Sequence, residues 1–234
     1  MVAEQWLAAL RRVRGEYSEA LQLQENVIAA AAKTFGANSE IHLARVARAA
    51  EIELTMNRDS AARERLNFVK AHARLQDGKL SPSMLAAERL LIGIASREAR
   101  PLQANGAAAL DDALALQARA ERDFAAGGAD PSLRIWDRIE LHRLVAEVAR
   151  RSERFEVMKT NASQLVTQLI PLVAAVSPQL ASDRALLAIA LARTGDRPRA
   201  KTLAREARAA LATTPNVAPH FGESINSFEK AFPN

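Results

Sequence analysis

Four histidines are the side chains of this sequence best suited to metal binding or acid–base catalysis. They are His42, His72, His142 and His220. A metal site on a helix needs two ligands within one helical turn of each other, and even the closest of these pairs lies many turns apart. We therefore expect surface or helix-packing histidines and no metal site. Because there is no cysteine, disulfides and thiolate chemistry are excluded.

Other catalytic patterns are also absent from the sequence. No serine lies in the tight strand-to-helix turn of a nucleophile elbow. The carboxylate pairs Asp111-Asp112 and Glu51 with Glu53 are typical of solvated helix faces. We expect the glycine-containing pairs Asn105-Gly106 and Gly127-Gly128 to interrupt helices, since they are too isolated to be phosphate loops. The sequence therefore predicts neither an enzyme nor a cofactor.

Arginine is the residue type with the clearest potential for binding. It supplies 26 of the 32 basic residues, and the chain carries a net charge of +5 with a pI of about 10.1. Guanidinium groups bind carboxylates and phosphates through paired hydrogen bonds. Nucleic acid is one ligand of this kind, but runs of basic residues with interleaved aromatic residues are missing.

These residues must be positioned by helices, because alanine dominates the apolar set and only 4% of residues are aromatic. Hydrophobic periodicity, caps and breakers predict helices over approximately 3–14, 18–34, 41–56, 59–75, 82–97, 107–124, 132–151, 154–176, 178–193, 197–212 and 219–231. The sixth helix could also begin near Leu102. Pro171 should kink or split the eighth. Ser39 and Ser81 are expected N-caps, and Asp59 or Ser60 should cap the fourth helix.

No apolar run approaches the roughly 20 residues that span a bilayer. The first residues carry Glu4 before the apolar positions and basic residues after them, which is the wrong order for a secretory signal. We expect a cytoplasmic location.

A small-residue pattern recurs along the chain. A helix alanine, a turn residue and a second helix residue appear together four times: Ala8, Gly15 and Ala20; Ala50, Asn57 and Ala62; Ala146, Glu153 and Met158; Ala188, Gly195 and Ala200. The first and second sets, and likewise the third and fourth, are offset by a period of about 42 residues, which is typical of stacked supersecondary units.

The repeat resembles the tetratricopeptide repeat. Leu7-Ala8, Gly15-x-Tyr17, Ala20 and Val27 match the order and spacing of that motif, and Leu187-Ala188, Gly195, Ala200 and Ala207 match it again. The period exceeds the usual tetratricopeptide length and, with Phe35-Gly36, is similar to the longer repeats of the kinesin light chain type. The resemblance implies an all-α, right-handed superhelix of antiparallel hairpins. We expect one array over 1–234, with units 1–38, 39–78, 79–128, 129–177 and 178–214 and a capping helix over 215–234.

The resemblance also implies a binding surface, because the first helix of each unit lines the concave groove in such arrays. The basic candidates on this surface are Arg12, Arg48, Arg89, Arg97, Arg143 and Arg150. Together they would hold an acidic peptide or a C-terminal carboxylate. Alternatively, they pair with Glu51, Glu140 and Glu147 or simply solvate the helices. The predicted function is a non-catalytic protein-interaction scaffold, and a homodimer is possible.

A second resemblance concerns the C-terminal region. The segment 193–200, followed by Ile225 and Phe228, is similar to the ending of C-terminal arrays in bacterial serine/threonine kinases. It implies the regulatory region of a larger signalling protein, such as a kinase or a transcriptional regulator. The chain has no glycine-rich phosphate loop and no His-Arg-Asp element, so this would be a non-catalytic part. A nucleic-acid-binding helical array is the remaining alternative.

Overall fold

A computed structural model describes residues 2–75, 78–99, 104–126, 134–214 and 216–233. These residues form α-helices, which confirms the all-α prediction. The helices are α1 (Val2–Val13), α2 (Tyr17–Phe35), α3 (Glu40–Thr55), α4 (Asp59–His72), α5 (Pro82–Glu98), α6 (Ala104–Ala126), α7 (Ile135–Arg151), α8 (Phe155–Leu169), α9 (Pro178–Arg193), α10 (Arg197–Ala212) and α11 (Glu223–Ala231). None of the described helices combines the length and hydropathy needed to cross a membrane.

The chain divides into two compact units, an N-terminal unit over Met1–Ala95 and a C-terminal unit over Ser96–Asn234. The five repeat units expected from the sequence stay a prediction.

In the N-terminal unit, consecutive helices pack in order, α1 on α2, α2 on α3 and α3 on α4. The core between α3 and α4 contains Leu43, Val46, Leu66 and Val69, and Ile94 of α5 joins it. Burying each of these side chains contributes about 1.5–3 kcal/mol relative to an exposed position. This core packs α3 against α4 and α5.

In the C-terminal unit, α9 is the central helix. It packs against α8, α10 and α11, and the run Ala185–Ala192 is buried throughout. A helix that is apolar on every side must be enclosed by other helices. The terminal helix α11 contributes Ile225 to a cluster with Ala181 and Ala207.

The residues that recur in the sequence occupy equivalent positions in four helix pairs, α1–α2, α3–α4, α7–α8 and α9–α10. All eight helix residues of the pattern are buried: Ala8, Ala20, Ala50, Ala62, Ala146, Met158, Ala188 and Ala200. Small side chains at most of these positions let the two helices of a pair approach closely, where a larger side chain would have to displace its neighbours.

The four turn residues of the pattern share one backbone conformation. Gly15, Asn57, Glu153 and Gly195 have φ angles of 80, 58, 56 and 99°. The residue after each one donates its backbone N–H to the carbonyl five positions earlier, as in Arg58 to Glu53 at 2.9 Å and Asp196 to Leu191 at 2.9 Å. This is the Schellman helix ending, in which a left-handed residue satisfies the last carbonyls of a helix.

Some local expectations were wrong. Asn105-Gly106 does not interrupt a helix, because α6 begins at Ala104 and continues through both residues. The N-cap of α4 is Arg58, without a side-chain hydrogen bond, and α4 ends at His72 before the expected Leu75. The expected loop at Gly127-Gly128 and the start at Ser132 lie outside the described residues.

Other local expectations are confirmed. The Ser39 hydroxyl oxygen accepts the His42 N–H, and the Ser81 hydroxyl oxygen accepts the Met84 N–H. Proline at position 171 splits the eighth helix: α8 ends at Leu169 and a 3-10 turn, Ile170–Leu172, follows.

Candidate functional site

A groove of about 540 Å³ opens in the N-terminal unit between α1 and α3. Its volume lies in the range of sites that bind small ligands or a few side chains. Residues from both helices line it, among them Trp6, Ala8, Arg12, Arg45, Arg48 and Ile52, and Gln24 of α2 also contributes. The lining therefore combines apolar surface with three guanidinium groups.

Helical spacing explains why these residues converge. Arg45, Arg48 and Ile52 are separated by three and four residues, so they share one face of α3. The Gln24 side chain donates from Nε2 to the Arg45 carbonyl oxygen at 2.9 Å, which fixes this face of α3 against α2. The small side chains of Ala8 and Ala44 leave space between the two helices.

Glu51 is the carboxylate at the centre of the cationic cluster. It forms an ion pair with Arg48 and accepts a hydrogen bond from Arg89 Nη2 at 2.6 Å. Burial alone would raise the pKa of Glu51, but the positive charges of Arg48, Arg89 and Arg12 outweigh it and lower the pKa from 4.5 to about 2. One carboxylate thus interacts with three guanidinium groups.

Arg45 is the third guanidinium group in the lining of the groove. Its Nε atom is buried and finds no acceptor among the described residues. Burial lowers the pKa of Arg45, and the neighbouring charge of Arg48 lowers it further. A buried donor without a partner costs about 1–3 kcal/mol, and more when the group is charged.

Three of the six predicted site residues, Arg12, Arg48 and Arg89, therefore lie around Glu51 in the N-terminal unit. The other three lie in the C-terminal unit, where Arg143 is a structural residue. Its guanidinium binds the buried carboxylate of Asp183 with Nε–Oδ1 and Nη2–Oδ2 distances of 3.1 and 2.8 Å and also pairs with Glu140.

Arg150 and Arg97 lie on the surface of the same unit. Arg150 Nε donates to Glu147 at 2.9 Å, one turn earlier on α7. Burial lowers the pKa of Arg151, and the nearby positive charges of Arg150 and then Arg97 lower it further. The sequence left open whether these arginines pair with Glu51, Glu140 and Glu147. The structure contains all three pairings: Arg48 with Glu51, Arg143 with Glu140 and Arg150 with Glu147.

The sequence did not lead us to predict that Arg45 and Trp6 line a groove. The repeat itself contained a signal, because a shift by one repeat period aligns Trp6 with Arg48 and Ala8 with Ala50. Reading both helices in that register would have placed Trp6 and Arg48 on the same face of equivalent helices. The hydrogen-bonding state of Arg45 has no signature in the sequence.

The histidines make packing contacts. His142 Nδ1 lies 2.9 Å from Asn161 Oδ1, and Gln117 Nε2 donates to the same oxygen at 3.0 Å. Phe68 packs between His42 and His72, with ring centroids 6.3 and 4.2 Å away. Over the part of the chain that the structure describes, no group of histidine, aspartate and glutamate side chains could hold a metal ion.

Comparison with solved structures identifies the fold. The crystal structure of a variant of a Podosopora anserina protein with nearly identical TPR-like repeats, of the kinesin light chain kind, covers 90% of this chain and 93% of its own, with 22% identity and a TM-score of 0.51. Another crystal structure of that protein covers 91% and 95%, with 22% identity and a TM-score of 0.49. No protein-family model and no curated protein sequence matches the chain. The chain thus has a TPR-like helical-repeat fold.

Proposed function

We propose that this protein is a non-catalytic interaction scaffold whose N-terminal unit binds an acidic segment of a partner protein between α1 and α3. The observation that carries the proposal is Arg45, whose buried Nε has no acceptor among the described residues. It lies in a groove together with Arg12 and Arg48.

The composition of the groove favours a peptide over a free inorganic anion. A single anion would fill only a small part of about 540 Å³. Trp6 is 74% exposed and lines the groove, so an apolar side chain of a bound segment would find surface to cover. We therefore expect a ligand that alternates carboxylate and apolar side chains.

Each arginine has a distinct role in this proposal. Arg45 binds a ligand carboxylate through its guanidinium group, which lines the groove. Arg48 and Arg12 add positive charge at the same groove. Glu51 holds Arg48 and Arg89 in place.

The test is a fluorescence-polarisation titration with a labelled peptide that alternates glutamate and leucine, beside its glutamine–leucine counterpart. The glutamate peptide should bind, and the glutamine peptide should bind at least about tenfold more weakly. Arg45→Ala should weaken binding of the glutamate peptide by about tenfold or more, because a charge-assisted hydrogen bond contributes about 1.5–3 kcal/mol.

The matched control is Arg58→Ala, since Arg58 is an exposed arginine of the same unit that does not line the groove. Its affinity should equal that of the wild type. Equal losses in the two variants would mean that only overall charge attracts the peptide, and the proposal would fail. Circular dichroism of both variants checks that the helices remain.

Nucleic-acid binding is a second candidate, favoured by the surface of α10. Arg197, Lys201 and Arg205 follow one another at four-residue spacing on that helix, and all three are exposed. A cationic row of this kind suits a phosphate backbone. Binding of a labelled DNA duplex should then decline steeply with salt and disappear in Lys201→Glu, while Arg45→Ala leaves it unchanged.

The scaffold could also be the regulatory region of a larger bacterial signalling protein, a kinase or a transcriptional regulator. This form of the proposal is supported by the resemblance of residues 193–200 and the apolar tail to kinase-linked arrays. It requires that the same reading frame encode a catalytic or DNA-binding domain, which the gene sequence would show directly.

A further inference from the structure

The outer face of α1 carries exposed apolar side chains. The equivalent positions of the next repeat, in α3, are buried. Leu7 is 40% exposed and Leu10 is 47% exposed. A shift by one repeat period aligns them with Ala49 and Ile52 of α3, and both of those residues are buried. The same face of the repeat is therefore covered in α3 and uncovered in α1.

The positions of Ala49 and Ile52 indicate which neighbouring helices cover this face in α3. The face of α3 toward α4 carries Leu43, Val46 and Ala50, and neither Ala49 nor Ile52 belongs to that cluster. Ile52 lies at the groove formed with α1 and with Gln24 of α2, and α3 packs on α2, so this face of α3 is directed toward the preceding helices. The face of α1 with Leu7 and Leu10 is thus shaped to receive a helix.

The charges along this face identify a second copy of α1 as a fitting occupant. Glu4, Leu7, Leu10 and Arg14 are separated by three, three and four residues, so they form one row with an acid at one end and a base at the other. An antiparallel copy of the same row would place Leu7 against Leu10 of the partner and Glu4 beside Arg14 of the partner. Two-fold interfaces require this kind of self-complementarity.

We propose that the protein forms a two-fold symmetric homodimer through antiparallel packing of α1 against α1 of a second copy, centred on Leu7 and Leu10. The interface is small, so the dimer forms weakly and depends on concentration. The interface is centred on Leu7 and Leu10, which do not line the groove, so this proposal does not rest on the proposed acidic-peptide site.

Sedimentation velocity of the full chain over increasing concentrations, up to about 1 mM, tests this proposal. The wild type should move from monomer to dimer. Leu10→Glu should weaken the dimer by about tenfold or more, because the new charge would be buried without a partner. The matched control is Leu75→Glu, since Leu75 is exposed to the same extent as Leu10, and it should dimerise like the wild type.

Charge reversal tests the antiparallel arrangement. Glu4→Arg alone and Arg14→Glu alone should each weaken the dimer several-fold, and the double variant should restore it because the opposite charges again face each other. A wild type that stays monomeric at every concentration would overturn the proposal. So would a dimer that Leu10→Glu leaves intact, or a double variant weaker than both single variants. Circular dichroism of each variant separates loss of the dimer from loss of the fold.

Discussion

Arg143 and Asp183 form a two-point ion pair that joins α7 to α9 in the C-terminal unit. The Nε–Oδ1 and Nη2–Oδ2 distances are 3.1 and 2.8 Å, and the Asp183 side chain is almost fully buried. Burial disfavours the charge of Arg143, but the carboxylates of Glu140 and Asp183 outweigh it and raise the pKa of Arg143 above its usual value. Arg143 thus has two carboxylate partners, whereas Arg45 lines a groove and its Nε has no acceptor among the described residues.

Replacing Arg143 should therefore destabilise the protein. Arg143→Ala leaves the Asp183 carboxylate buried without its cation, and breaking a buried pair in this way costs about 3–5 kcal/mol. Chemical denaturation, followed by circular dichroism, measures the loss. Arg150→Ala is the control, because its ion pair with Glu147 is partly exposed and such pairs contribute about 0–1 kcal/mol. Equal effects of the two substitutions would contradict the structural role of Arg143.

Substitution by glycine should change the stability of the protein in opposite directions at two nearby glutamates, Glu153 and Glu156. Glu153 has a φ of 56°, a left-handed conformation that glycine adopts without strain, so Glu153→Gly should stabilise the protein by about 0.5 kcal/mol. Glu156 lies within α8, where Glu156→Gly should cost about 1 kcal/mol. Thermal unfolding of the two variants provides the comparison.

The equivalent turn at Gly195 completes this test. A Cβ atom there would meet no atom within 4 Å, so Gly195→Ala introduces only backbone strain at a φ of 99°. We expect a loss of about 1 kcal/mol. No loss would mean that the positive φ is not required at these turns.

Much of the fold could be predicted because the repeat is a local pattern. The alanines and turn residues act within one helix pair, and the regular interval between copies marks them without any knowledge of packing. Pro171 acts on its own helix in the same way. Asn105-Gly106 was misjudged because residues that break helices in isolation remain helical when the surrounding structure favours the helix.

The candidate site was less predictable because its chemistry depends on contacts between helices distant in sequence. Arg89 reaches Glu51 across 38 residues and Arg143 reaches Asp183 across 40. The sequence contains no means of telling which arginine meets a carboxylate and which does not. For the same reason Arg45, the residue on which the proposed site depends, could not be chosen from its sequence context.

Glu51 should make the stability of the protein depend on acid pH. The folded-state pKa is lowered to about 2 from 4.5, so the stabilisation is complete above about pH 4.5 and is lost as pH falls toward 2. A lowering of this size corresponds to about 3 kcal/mol. Glu51→Gln should therefore be less stable than the wild type near neutral pH, and the two should converge in acid.

Denaturation of both proteins at several pH values measures this convergence. Glu147→Gln is the control, since Glu147 pairs with one partly exposed arginine and should change stability by less than about 1 kcal/mol. A difference between wild type and Glu51→Gln that stays constant with pH would show that the three arginines do not hold the Glu51 carboxylate ionised.

Trp6 offers the most direct measurement of the proposed site, because it lines the groove and the chain has only two tryptophans. In a Trp136→Phe background, Trp6 alone reports on the groove by its fluorescence. We predict a saturable change on titration with the glutamate–leucine peptide, shifted to about tenfold higher concentration by Arg45→Ala and unshifted by Arg58→Ala. A Trp6 signal that does not respond to the peptide, or that responds equally in all three proteins, would contradict the assignment of this groove as the binding site.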